Sequence, residues 1–129
     1  MRVLLDTHSF LWFIGGNASL PPTARLLVED ASHQPMLSIA SLWEMAIKLS
    51  IGKLSLGRAF GTLIPEQMRL NGIGLLQIEV AHVLAVVELP FHHRDPFDRL
   101  LIAQAMVEQI PIVSGDPAFD SYGIKRLWS

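Results

Sequence analysis

The chain has 129 residues, half of them hydrophobic and 17% charged, with ten basic residues against twelve acidic ones for a formal charge of −2. That is enough chain for one domain with a real core, and the composition excludes a disordered tail or a solvated coiled coil. There is no cysteine, which excludes a disulfide framework, a thiolate metal site and a cysteine nucleophile.

Val3 to Leu5 reads as a first strand and Thr7 to Ile14 as a helix that stops at Gly15-Gly16. The opening stretch MRVLLDTHSFLWFI is apolar, but Asp6 and His8 interrupt it and no small-residue cleavage site follows. Its longest wholly apolar run, Phe10 to Ile14, is far too short to cross a bilayer, so a cytoplasmic protein without a membrane segment is expected. Pro21-Pro22 opens a second helix through about Ala31, proline being tolerated in a first turn. Met36 to Ser38 is a short strand, and a helix from about Ser41 to Ile51 ends against Gly52.

Phe60 to Asn71 reads as helical, with Phe60, Leu63, Ile64 and Met68 spaced for one face, and Gly74 to Ile78 as a strand. Val80, Val83, Leu84 and Val87 have the i, i+3, i+4, i+7 spacing of an amphipathic helix. Pro96 to Gln109 is the clearest helix, and Ile112 to Ser114 and Lys125 to Leu127 are the last strands. Strand–helix alternation without repeats or composition breaks predicts one α/β domain over residues 1–129: a mainly parallel central sheet with helices on both faces.

In open parallel sheets ligands bind beyond the carboxyl ends of the strands. Asp6 follows the first strand, and Asp116 follows the Ile112-to-Ser114 strand in IVSGDP. Glu44 in LSIASLWEMAIK and Asp98 in HHRDPFDRLLIAQA fall in the first turns of their predicted helices. Each acid taken singly is explained as well by capping. Asp6 would cap the helix from Thr7, and Ser41-x-x-Glu44 matches a capping box. Asp95 would cap the helix opening at Pro96, with Asp98 favoured by the helix dipole, and Asp116-Pro117 is an ordinary turn signal. Four carboxylates on one edge are another matter. Without a cation they raise one another's pKa, and a hard divalent ion relieves that repulsion.

At these residues the chain resembles the PIN-domain family, in particular the VapC-type toxins of bacterial toxin–antitoxin pairs. LLDTHSFLWFI, SIASLWEMAIKLSIGKL, HHRDPFDRLLIAQA and IVSGDPAFDSYGI resemble the family's four motifs in order, over Val3 to Trp128. The resemblance implies a three-layer α/β/α PIN fold and a Mg²⁺-dependent endoribonuclease, Mn²⁺ serving as well, with Asp6, Glu44, Asp98 and Asp116 as catalytic residues and metal ligands. It also implies an RNA substrate, a cognate antitoxin and a homodimer. A non-catalytic binding module on the same fold is the alternative. Ser114 stands where relatives often have threonine. DRLLIAQA aligns without a gap when Asp98 is the third-motif acid, leaving Asp95 as the cap. Lys48, Lys53, Arg94 and Arg99 lie close to the motifs, and Lys48, Arg94 and Arg99 are the candidate cations for RNA. His8, His92 and His93 lack the spacing of a zinc site and read as structural or surface residues. Trp12, Trp43 and Trp128 read as core or interface before base-stacking platforms, and Leu11, Leu26, Met45 and Leu49 as core first, with a dimer or antitoxin surface as the alternative.

Overall fold

In the computed structural model, which describes residues 1–129, β1 (Arg2–Leu5), β2 (Gln34–Ser38), β3 (Gly74–Leu76), β4 (Ile112–Val113) and β5 (Arg126–Leu127) form one sheet. The order is β3-β2-β1-β4-β5, and every neighbouring pair is parallel. Side chains alternate across a strand, and β1 separates the two cores accordingly. Val3 and Leu5 join one apolar cluster with Phe10, Ala24, Leu37, Met45 and Ile64. Leu4 faces the other, with Leu101, Ile102, Ile112 and Phe119.

The helices are α1 (Thr7–Ile14), α2 (Pro22–Glu29), α3 (Ile39–Ser50), α4 (Phe60–Leu70), α5 (Val80–Glu88) and α6 (Pro96–Glu108), with a 3-10 helix over Pro117–Tyr122. The cluster around Val3 and Leu5 draws on α1 through α4, and the cluster around Leu4 on α5, α6 and the 3-10 helix. Helices therefore cover both sheet faces, giving the three-layer α/β/α arrangement.

Three local features differ from the sequence-based expectation. First, α3 begins at Ile39 because Ser38 caps it, its hydroxyl accepting from Ala40 N at 3.0 Å. Ser41 and Glu44 are therefore not a capping box, and Glu44 sits in the second turn, buried. Second, Leu26 is exposed on α2 instead of contributing to the core. Third, the Val80, Val83, Leu84 and Val87 face of α5 points to solvent, Val80 being 74% and Val87 77% exposed. The buried face of α5 carries His82, which is wholly enclosed, with Ala85 and Val86 packed beside it. His82 is a satisfied core histidine. Nδ1 accepts from Glu79 N at 2.9 Å, and Nε2 lies 2.9 Å from Glu108 Oε2 on α6.

Candidate metal centre

The chain leaves β1 to build β2 and β3 on one side and returns to lay β4 and β5 on the other. The topological switch falls between β1 and β4, where such sheets open a crevice at the carboxyl ends of their strands. Asp6 and Asp116 stand on its two sides. The strand ends are tied together there: Asp6 N donates to Val113 O at 3.1 Å and Ser9 Oγ to the same carbonyl at 3.0 Å. Asp6 caps α1, with Oδ1 accepting from Ser9 N at 2.8 Å. Asp116 caps the 3-10 helix, with Oδ1 accepting from Ala118 N at 2.9 Å and its own N–H donating to Ser114 Oγ at 3.0 Å. Capping thus orients these carboxylates, and both line one depression.

The third acid comes from α6. Asp95 caps that helix, accepting from Phe97 N at 2.9 Å and Asp98 N at 3.0 Å, as expected from DP-x-D. Asp98, in the first turn, is left to face the crevice. Between it and Asp116 stands His93, which the sequence reading treated as a structural or surface residue. His93 Nε2 lies 3.1 Å from Asp98 Oδ2 and 2.9 Å from Asp116 Oδ2. Its Nδ1 accepts from Asp95 N at 3.2 Å, so Nε2 is the protonated nitrogen and donates toward the two carboxylates. No periodicity marks His93. The one available signal was its place in the loop just ahead of the Asp95 cap.

Glu44 differs from the three aspartates. The Thr7 hydroxyl lies 2.7 Å from Glu44 Oε1 and 2.9 Å from Ser41 Oγ. A hydroxyl has one proton and a carboxylate only accepts, so Thr7 donates to Glu44 and accepts from Ser41. Lys48 Nζ donates to Glu44 Oε2 at 2.8 Å, one helical turn on. Both Glu44 oxygens are engaged by the protein, and Lys48 is its ion-pair partner. Arg99 is no RNA-facing cation either. It is buried, its guanidinium donating to the carbonyls of Val86, Leu89, Pro90 and His93 with Phe91 stacked 4.0 Å away. Lys53 and Arg94 are exposed.

The electrostatics disfavour a charged Asp98. The Asp98 carboxyl is pushed up to about 7, first by burial and then by the carboxylates of Asp95, Asp6 and Glu44, while His93 opposes the rise. Two of the other sequence-selected acids, Asp6 and Glu44, thus act on Asp98, together with its cap Asp95. One ligand atom each from His93, Asp98 and Asp116 lies within 4.8 Å of the others. A half-buried set of carboxylate oxygens at a sheet switch, bridged by a single imidazole N–H, fits a hard divalent cation.

An all-parallel α/β/α sandwich with carboxylates gathered at its switch point defines a class of protein before any relative is considered. The sequence pattern of the PIN domain matches residues 3–125, and the chain belongs to the PIN-domain family. A ribonuclease of Mycobacterium tuberculosis, VapC16, is 36% identical over 58 residues, a stretch covering 45% of this chain and 41% of that protein. The fold is shared with VapBC2 from Rickettsia felis bound to a promoter DNA fragment, at a TM-score of 0.73 and 14% identity over the whole of both chains. DNA-bound VapBC from Salmonella typhimurium matches at 0.72 and 15% identity over 98% of this chain and 97% of that one.

Proposed function

We propose that this protein is a Mg²⁺- or Mn²⁺-dependent endoribonuclease acting as the toxin of a toxin–antitoxin pair. The observation that carries the reading is the cluster at the sheet's switch point, where Asp98 and Asp116 meet at His93 and Asp6 lines the same depression as Asp116. Asp98 and Asp116 would supply oxygens to the ion, with Asp6 beside them and His93 donating to the two aspartates. When bound, such an ion activates water for in-line attack on a phosphodiester and stabilises charge on the phosphate oxygens. Asp6 and Asp116 hold their places through caps that leave one oxygen each uncommitted to those bonds. Glu44, fixed by Thr7 and Lys48, completes the acidic site and adds negative charge toward Asp98.

The deciding experiment is RNA cleavage by purified protein with Mg²⁺, with chelator and with Asp6→Asn. Loss in the last two supports the reading. Full cleavage by Asp6→Asn, or in excess chelator, overturns it.

The antitoxin and the second subunit belong to the same proposal. A groove of about 500 Å³ beside Thr7 and Lys48, with Leu11, Trp12, Ile14 and Met45 in its wall, suits an apolar segment of an antitoxin. The solvent-facing stripe of α5 suits a second copy of the chain.

A further inference from the structure

On the edge of the crevice opposite α6, the wall of the site is aromatic. His8, Trp12, Gly115 and Trp128 line the depression of about 300 Å³ that also contains Asp6 and Asp116. Trp12 stands between its two aromatic neighbours, its ring centroid 5.7 Å from that of His8 and 6.0 Å from that of Trp128. His8 is exposed and both tryptophans are half-buried. Gly115 is part of the arrangement: a Cβ there would stand 2.8 Å from Cζ2 and 3.0 Å from Cε2 of Trp128. With no side chain at 115, the indole lies directly against the turn that delivers Asp116. The depression is at the small end of the ~300–1,000 Å³ typical of ligand pockets, room for one unstacked base and its sugar but not for a helix.

Charge argues the same way. Three of the cations near the motifs are already engaged, Lys48 with Glu44, Arg126 with Asp120 and Arg99 buried among carbonyls, which leaves Arg94 and Lys53 exposed. With a net charge of −2, phosphate attraction contributes little to holding a polyanion. Aromatic faces hold nucleic acid by stacking on bases, with little dependence on sequence.

Resting on the ribonuclease reading above, we infer that the His8–Trp12–Trp128 wall is a base-binding subsite, taking one unpaired base of RNA next to the phosphate at the carboxylates. Trp128 and His8 are positioning residues for the substrate. Because a duplex keeps its bases stacked inside, the substrate at this site is single-stranded.

The test is equilibrium binding of a short, labelled, single-stranded oligoribonucleotide of mixed sequence, and of its abasic counterpart, in Ca²⁺ buffer. The full wild-type chain is expected to bind the base-bearing strand about tenfold or more tightly than the abasic one. Trp128→Ala should remove most of that preference, bringing the base-bearing strand down toward the affinity of the abasic one, while Trp128→Phe retains it. Should Trp128→Ala fail to fold, His8→Ala, at an exposed position, should still lower the preference several-fold with an unchanged melting temperature. Equal affinity of the wild type for both strands, or folded variants that keep the full preference, would overturn the subsite. Metal-dependent cleavage of RNA by the same wild-type preparation shows which idea has failed: cleavage without base preference removes the subsite alone, and absence of both removes the ribonuclease reading with it.

Discussion

Asp98 is the residue whose chemistry is most unlike its ordinary state. An unfolded chain ionises this carboxyl near the usual aspartate value, whereas the folded protein holds the proton until about pH 7. Between those limits the native state binds more protons than the unfolded one, so stability is fully present below the unfolded pKa and is lost as pH rises toward 7. In chelator, thermal melts should therefore show stability falling by roughly 2–4 kcal/mol at most from this group between about pH 4 and 7 and flattening above. Asp98→Asn should remove that fall, leave the metal-free protein at pH 7.5 as stable as or more stable than wild type, and abolish its Mg²⁺-induced rise in melting temperature. Calorimetry should find close to one proton released on metal binding at pH 6 and almost none at pH 8. A wild-type protein whose metal-free stability rises steadily from pH 4 to 7 would contradict the environment described for Asp98. The neighbouring Asp95 predicts a contrasting result. Asp95→Ala should cost about 0.5–2 kcal/mol, as loss of a cap does, while leaving metal-dependent activity measurable.

Among the elements, the α5–α6 connection most directly controls the site, because it carries His93. Arg99 organises it from the first turn of α6, reaching the carbonyls of Val86 and Leu89 at the C-terminal end of α5 and those of Pro90 and His93 in the loop. The negative end of the α5 dipole and these carbonyl oxygens offset a buried guanidinium that has no carboxylate partner. A lysine has no planar fork to serve four carbonyls. Arg99→Lys is therefore expected to destabilise by roughly 2–4 kcal/mol and to weaken Mg²⁺ binding through displacement of the His93 loop. Denaturant melts together with metal titration would test both parts, and unchanged stability would remove Arg99 from this role. The C-terminal end of α6 also carries an identifiable cost, since Gln109 takes a left-handed conformation at φ 56°. Gln109→Gly should stabilise by about 0.5–1 kcal/mol, read as a higher denaturant midpoint with the slope unchanged.

For the whole molecule, the α5 face is the feature the monomer leaves unexplained. Val80, Val83, Leu84 and Val87 have perfect helical spacing for a buried stripe, yet the core took His82, Ala85 and Val86 instead. If a second copy covers the stripe, the wild type should sediment as a dimer at micromolar concentration. Leu84→Glu should then shift it to monomer, with little change in the stability of the monomer itself because the side chain is 63% exposed. A monomeric wild type at high concentration would remove the dimer proposal and leave the stripe without a partner.

The strand and helix order and the parallel α/β class were legible in the sequence, as was the choice of Asp6, Glu44, Asp98 and Asp116 as the acids for one edge of the sheet. Each is encoded locally: apolar runs of strand length, helix stops at glycine, prolines and aspartates at helix starts, and acids just after strands. The Asp95 cap was legible for the same reason. The capping-box alternative for Glu44 does not hold, because Ser38 lies three residues before Ser41 and begins the helix a turn earlier. Tertiary packing decided the rest. Which face of α5 is buried depends on the side chains of α6 across from it, where Glu108 receives His82. Arg99 could be taken for a surface cation until the α5–α6 loop folded over it. His93 entered the site because that loop brings its ring between Asp98 on α6 and Asp116 beyond β4, residues that no sequence spacing relates. Local chemistry determined the elements and their caps; only contacts between elements distant in the chain decided which polar groups meet, because the energy of burying a charge depends on the partners that fold around it.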